Sequence, residues 1–158
     1  MFRKIARLLL VISCLSFNLT SVINAQAFKV PDTQSTDQWS IRIDKPILDR
    51  PNTSKPKPGV ADMYSMVVKN NGNTLYDVTI DVYRNEPNSP TKFGLFSNSL
   101  GTVEKGKTAF QHLNFPLSVH ANEIEVIISW HGKAAIAKNG TKIPGRKFKQ
   151  SFVFKTDN

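Results

Sequence analysis

The chain has 158 residues, with 21 Lys and Arg against 12 Asp and Glu, a formal net charge of +9 and a single cysteine. That length suits one domain with a real core. One cysteine excludes a disulfide framework, and the basic balance bears on partners and solubility but not on fold.

The first element is a leader. Arg3, Lys4 and Arg7 form a positive cluster, residues 8–19 carry no charge, and Ser21, Asn24 and Ala25-Gln26-Ala27 follow. This order predicts a secretory signal peptide over residues 1–27, cleaved after Ala27 in an Ala-x-Ala pattern. A spanning helix needs about 20 apolar residues. This stretch is shorter and is broken by Ser13, Ser16 and Asn18. Val11-Ile12-Ser13-Cys14 has the look of a lipobox, but it would leave only residues 8–12 as the apolar core, which is too short. Cleavage leaves 158 less 27, or 131 residues, and removes Cys14 with three basic residues. The mature charge is then 18 basic against 12 acidic side chains, or +6. The expected product is secreted, extracellular or in the cell envelope, with no transmembrane segment in the mature chain. Without cysteine it must hold together by packing alone, and this composition points to a bacterial source.

Residues 28–37 are polar, contain Pro31 and show no period, which predicts a flexible lead-in. The remainder, 38–158, reads as a β-sandwich domain. Trp39, Ile41 and Ile43 alternate with Ser40, Arg42 and Asp44, the pattern of a half-buried strand. Pro46, Pro51, Pro56 and Pro58 exclude a central strand over 45–59 and predict a surface loop or extended crossover. Tyr64, Met66 and Val68 then share a face, and Asn70-Asn71-Gly72-Asn73 is a turn. Tyr76, Val78, Ile80 and Val82 alternate with Asp77, Thr79, Asp81 and Tyr83, the cleanest amphipathic strand of the chain. After a loop at 85–90 comes a weaker strand pattern over 93–100. A second turn at Glu104-Lys105-Gly106-Lys107 leads into a strand over 108–115. Ile124, Val126, Ile128 and Trp130 form the inner face of the next strand. Phe148, Gln150, Phe152 and Phe154 line one face of the last, with Lys147, Lys149 and Lys155 on the other. No window of the mature chain has a helical period.

These signals predict an all-β fold, an antiparallel immunoglobulin-like β-sandwich of about seven strands, with a small β-barrel as the alternative. The pieces Val67-Val68-Lys69-Asn70-Asn71-Gly72, Asp77-Val78-Thr79-Ile80-Asp81-Val82-Tyr83 and Glu104-Lys105-Gly106-Lys107 before Phe110 resemble bacterial immunoglobulin-like modules of the cell-adhesion-related type. The chain also looks somewhat like the intracellular proteinase inhibitor of bacilli, a sandwich with a similar Asn-rich turn, although that family has no signal peptide. Both resemblances imply a noncatalytic binding fold, and neither supplies site residues.

The search for chemistry is mostly negative. His112, His120 and His131 lack metal-ligand spacing, and no cofactor motif is present. There is no Gly-x-Ser-x-Gly elbow. Asp77 and Asp81 share a strand face at roughly 13 Å, too far for a glycosidase pair at about 5–9.5 Å. Glu123 and Glu125, at about 7 Å, do fit that range, but cross-strand pairing with lysines is the favoured reading. Asn52-Thr53-Ser54 and Asn139-Gly140-Thr141 are glycosylation sequons by pattern alone.

The 131–147 segment is the most informative stretch. It is too long for a tight hairpin and contains no acid, and basic residues surround the small apolar run at 134–137. It reads equally as a functional loop or as a plain extra hairpin turned at Lys138-Asn139-Gly140. Lys133, Lys138, Lys142, Arg146, Lys147, Lys149 and Lys155 concentrate the basic excess against a single acid, Asp157. If the loop folds back on the sheet, these seven make one positive patch. The expected function is a secreted noncatalytic module, with no enzyme activity, docking on an anionic envelope polymer or an acidic partner protein. Nucleic acid is not expected, given the compartment and the absence of an aromatic platform in the loop. The alternatives are a secreted protease inhibitor or regulator presenting the 131–147 loop, and a hydrolase using Glu123 and Glu125.

Overall fold

The computed structural model describes residues 28–51 and 53–156. The expected signal peptide, 1–27, lies outside the described residues. Within them the chain forms strands β1 (Asp32–Ser35), β2 (Trp39–Asp44), β3 (Ala61–Asn70), β4 (Tyr76–Asn85) and β5 (Lys92–Leu100), then β6 (Thr108–Ser118), β7 (Glu123–His131), β8 (Ala135–Ile136), β9 (Lys142–Ile143) and β10 (Lys147–Lys155). No described residue is helical, so no helix among them is long and apolar enough to cross a membrane.

The strands form two four-stranded sheets, β1-β2-β3-β6 and β10-β7-β4-β5, and a separate β8-β9 pair. All pairings are antiparallel. The sheets stay distinct, so the architecture is the antiparallel sandwich and not the barrel. One apolar cluster joins them: Trp39, Ile41, Ile43, Met66 and Val68 from the first sheet, Ile80, Val82, Ile124, Val126, Ile128, Phe152 and Phe154 from the second. The period-two pattern explains this packing, because alternate side chains on each strand point to the same side. Each fully buried aliphatic or aromatic chain contributes about 1.5–3 kcal/mol.

Both open sides of the sandwich are closed by side chains. Between β5 and β6, the rings of Phe96, Phe110, His112 and Phe115 pack on one another with centroids 5.0–6.3 Å apart. Burial there pushes the His112 imidazole below its ordinary pKa. Between β1 and β10, Gln34 Nε2 donates to the Val153 carbonyl at 2.7 Å, and Thr36 Oγ1 donates to Gln150 Oε1 at 3.4 Å.

The lead-in expected over 28–37 is a correction. It holds β1, which pairs with β2 from Asp32↔Ile43 to Ser35↔Ser40. Phe28 is buried in the core, and its N–H donates to Tyr64 Oη at 3.1 Å. The polar residues of β1 hid this, because an edge strand needs few apolar side chains to pair through its backbone.

The turn after β3 is built on one buried side chain. Asn70 Nδ2 donates to the carbonyls of Asn73, Val103 and Glu104 at 2.8, 3.0 and 3.2 Å. Its Oδ1 accepts from Gln38 Nε2 and from Gly72 N. Gln38 Nε2 also donates to the Asn73 carbonyl at 3.1 Å. Asn70 thus ties the 70–74 segment to the chain before β2 and to the β5–β6 connection.

Candidate binding cleft

β7 and β10 pair in register to Lys147↔His131, and the ladder continues with Gly132 N donating to Arg146 O at 3.0 Å. A glycine pair forms the neck beyond it. A Cβ on Gly145 would lie 1.9 Å from the Gly132 carbonyl oxygen, so no other residue fits there without moving main chain. The chain then opens into the β8–β9 hairpin. Ala137 N donates to Thr141 O at 2.9 Å, and Gly140 supplies the positive φ of +84° that the turn needs. The 131–147 segment is therefore a hairpin extension. Ile136 and Ile143 project from it, 78% and 51% exposed.

Beneath the neck lies a cleft of about 660 Å³, bounded by Tyr76, Asp77, Thr102, His131, Lys133 and Lys142. A register slip in the β4–β7 ladder between Tyr76 and Thr79 shapes it. Asp77 sits in that slip with φ +49°, and its Oδ2 is 3.5 Å from His131 Nδ1. Such irregularities re-aim side chains. They part Asp77 from Asp81, which instead accepts a hydrogen bond from Ser97 Oγ. An adjoining cleft of about 520 Å³ shares Tyr76, Gly132 and Lys133 and is walled by Trp130, Phe148, Asn73 and Thr74. Phe148 stacks on Trp130, its cross-strand neighbour, with centroids 5.8 Å apart and planes at 20°.

The seven candidate cations do not form one patch. Lys133 and Lys142 line the first cleft. Lys138 is in the hairpin turn, and Arg146 and Lys147 follow the neck. Lys149 is exposed on the outer side of β10. None of these six has a carboxylate partner among the described residues. Lys155 is the correction. It pairs with Glu123 in register, at the opposite end of β10 from Lys147, roughly 26 Å away by strand rise. Its Nζ is 3.5 Å from Glu123 Oε2. Alternation places side chains on a face and leaves their distance along it to strand length.

Glu123 and Glu125 share a different cation. Lys92 Nζ is 2.6 Å from Glu123 Oε1 and 2.8 Å from Glu125 Oε2. Lys92 holds the Glu123 carboxyl below the usual carboxylate range, whereas a general acid needs its carboxyl raised. Among the described residues no three His, Cys, Asp or Glu side chains gather as a metal site.

The sequence marked none of Tyr76, Gly145 and Phe148 as a site residue, and it raised Asp77 only as a partner for Asp81. Only the glycines at 132 and 145, bracketing the basic segment, signalled a close backbone approach.

A family model described as "YozF-like secreted protein" matches residues 24–158. The chain is 34% identical over 151 residues to "Uncharacterized protein YozF" of Bacillus subtilis (strain 168), an alignment spanning 87% of this chain and 86% of that relative. No solved structure matches the chain.

Proposed function

The chain belongs to the YozF-like secreted protein family, and on that premise we propose that this secreted protein is a noncatalytic binding module for an anionic polymer of the cell envelope. One observation carries the reading. Lys133 and Lys142 line the cleft, Lys138, Arg146 and Lys147 follow on the same hairpin and neck, and no described carboxylate pairs with any of the five. Unpaired cations at a concave surface raise the local concentration of anions. The immunoglobulin-like reading fits this role. The chain changes sheets between β3 and β4, between β5 and β6 and between β6 and β7, as Greek-key sandwiches do.

The test is retention on purified envelope polymer at rising salt. Exposed charges are screened over about 8 Å at physiological ionic strength, so retention should fall steeply. Changing Lys138, Lys142, Arg146 and Lys147 together to Gln should abolish it with melting temperature nearly unchanged, since exposed lysines add little to folding. Unaltered retention by the folded variant overturns the reading.

A second reading rests on the exposed Ile136 and Ile143. An apolar hairpin tip suits a protein partner, as in a protease inhibitor or regulator. Stoichiometric inhibition of a serine protease, lost in an Ile136→Glu variant, would select it.

A further inference from the structure

The two adjoining clefts differ in chemistry. The first presents Lys133 and Lys142 beside Asp77 and His131. The second presents aromatic rings beside unpaired polar side chains. Phe148 stacks on Trp130 yet remains 42% exposed, and Tyr76 stands at the junction. Asn73 and Thr74 are exposed on the cleft wall, and neither side chain is bonded to another described residue. Their loop is nevertheless held, because the Asn73 carbonyl accepts from both Gln38 and Asn70. Rings, free amide and hydroxyl groups on a held loop, and the shared Lys133 thus lie along one path.

From this juxtaposition we propose that the second cleft is a sugar subsite, and that the polymer is an anionic polysaccharide. The proposal rests on the anionic-polymer reading and narrows it. A pyranose ring has an apolar C–H face and a rim of hydroxyls. The first matches an exposed aromatic ring, and the second matches Asn73 and Thr74. A carboxylate or phosphate on the same or the next residue reaches Lys133 and Lys142. A chain with charge alone, such as polyglutamate, leaves Phe148 and Asn73 unused. Single-stranded nucleic acid needs a succession of stacking platforms. This surface offers one exposed ring, Phe148, with Tyr76 half-buried beside it and Trp130 largely covered beneath it.

The experiment measures binding of the mature protein to a panel of uronic-acid and phosphodiester-linked oligosaccharides. Charge-matched polyglutamate and oligothymidylate serve as comparators. At least one saccharide should bind about tenfold tighter than polyglutamate. Phe148→Ala should erase that preference while leaving polyglutamate binding unchanged, and Phe148→Tyr, which keeps the ring, should retain it. Asn73→Ala, away from the core, should weaken the saccharide alone. Lys133→Gln should weaken every anion. Saccharides no tighter than polyglutamate, with Lys133→Gln still weakening binding, overturn the sugar subsite and leave the anionic-polymer reading standing. Preference for oligothymidylate, lost in Phe148→Ala, also overturns it. Binding to none of the anions removes both readings.

Discussion

Trp39 of β2 and Trp130 of β7 meet edge to face across the sandwich, with ring centroids 5.7 Å apart and planes at 69°. They join the two sheets at the end that carries the clefts, and Phe148 stacks on the far member of the pair. Trp130→Ala should therefore cost about 3–5 kcal/mol, as aromatic truncations in cores do. Urea unfolding measures this, and a cost under about 1 kcal/mol would remove Trp130 from the core.

Asn70 is fully buried and serves three carbonyls and two donors. Asn70→Ala removes all of these bonds at once, although each partner group keeps one other hydrogen bond, so the variant should lose about 1–3 kcal/mol in total. Among the described residues the neighbouring Asn71 makes one side-chain bond, at 3.5 Å to the Thr36 carbonyl. Asn71→Ala should stay within about 0.5 kcal/mol. Equal losses from the two variants would contradict the role assigned to Asn70.

Gly145→Ala should strain the neck by about 1–3 kcal/mol, because its methyl meets main chain. The Gly132 amide, bonded to Arg146 O, should lose protection from hydrogen exchange, and the hairpin should become sensitive to protease. Gly101, also on the cleft, has open space around a built Cβ, so Gly101→Ala is the control. Unchanged exchange at Gly132 in the Gly145→Ala protein would show that the neck yields freely.

The Lys92–Glu123 pair has a defined pH window. Glu123 is depressed first by its hydrogen bond from Lys92, so its contribution is present above the unfolded carboxylate value and is lost as pH falls through the folded one. Lys92 is raised by Glu123 and then Glu125, so its contribution is present below the ordinary ammonium range and is lost as pH rises through the folded value. The side chains are 36% and 20% exposed, which limits the pair to about 1 kcal/mol. Glu123→Gln should cost that much at about pH 7, and the cost should shrink as pH falls through the lowered carboxyl range of the folded protein. A cost that persists in acid would mean the side chain acts by packing.

Much of the fold was legible because strand alternation is local. Trp39, Ile41 and Ile43, like Ile124, Val126, Ile128 and Trp130, announce their inward face within a few residues, since side chains of a strand alternate whatever pairs with it. The basic character of the 131–147 segment was equally readable, and so was its turn at Asn139-Gly140.

Tertiary structure alone decided what lies beside what. β6 pairs with β3, and β7 lies between β10 and β4, through contacts distant in sequence. Those pairings send Lys155 to Glu123 and leave Lys147 beside His131. A slip in the β4–β7 ladder turns Asp77 toward the cleft. The same pairings bring Tyr76, Lys133 and Phe148 onto one wall. The physical reason is that period and charge belong to each strand, whereas register and neighbour order are set by long-range backbone pairing, which the periodicity of one strand does not encode.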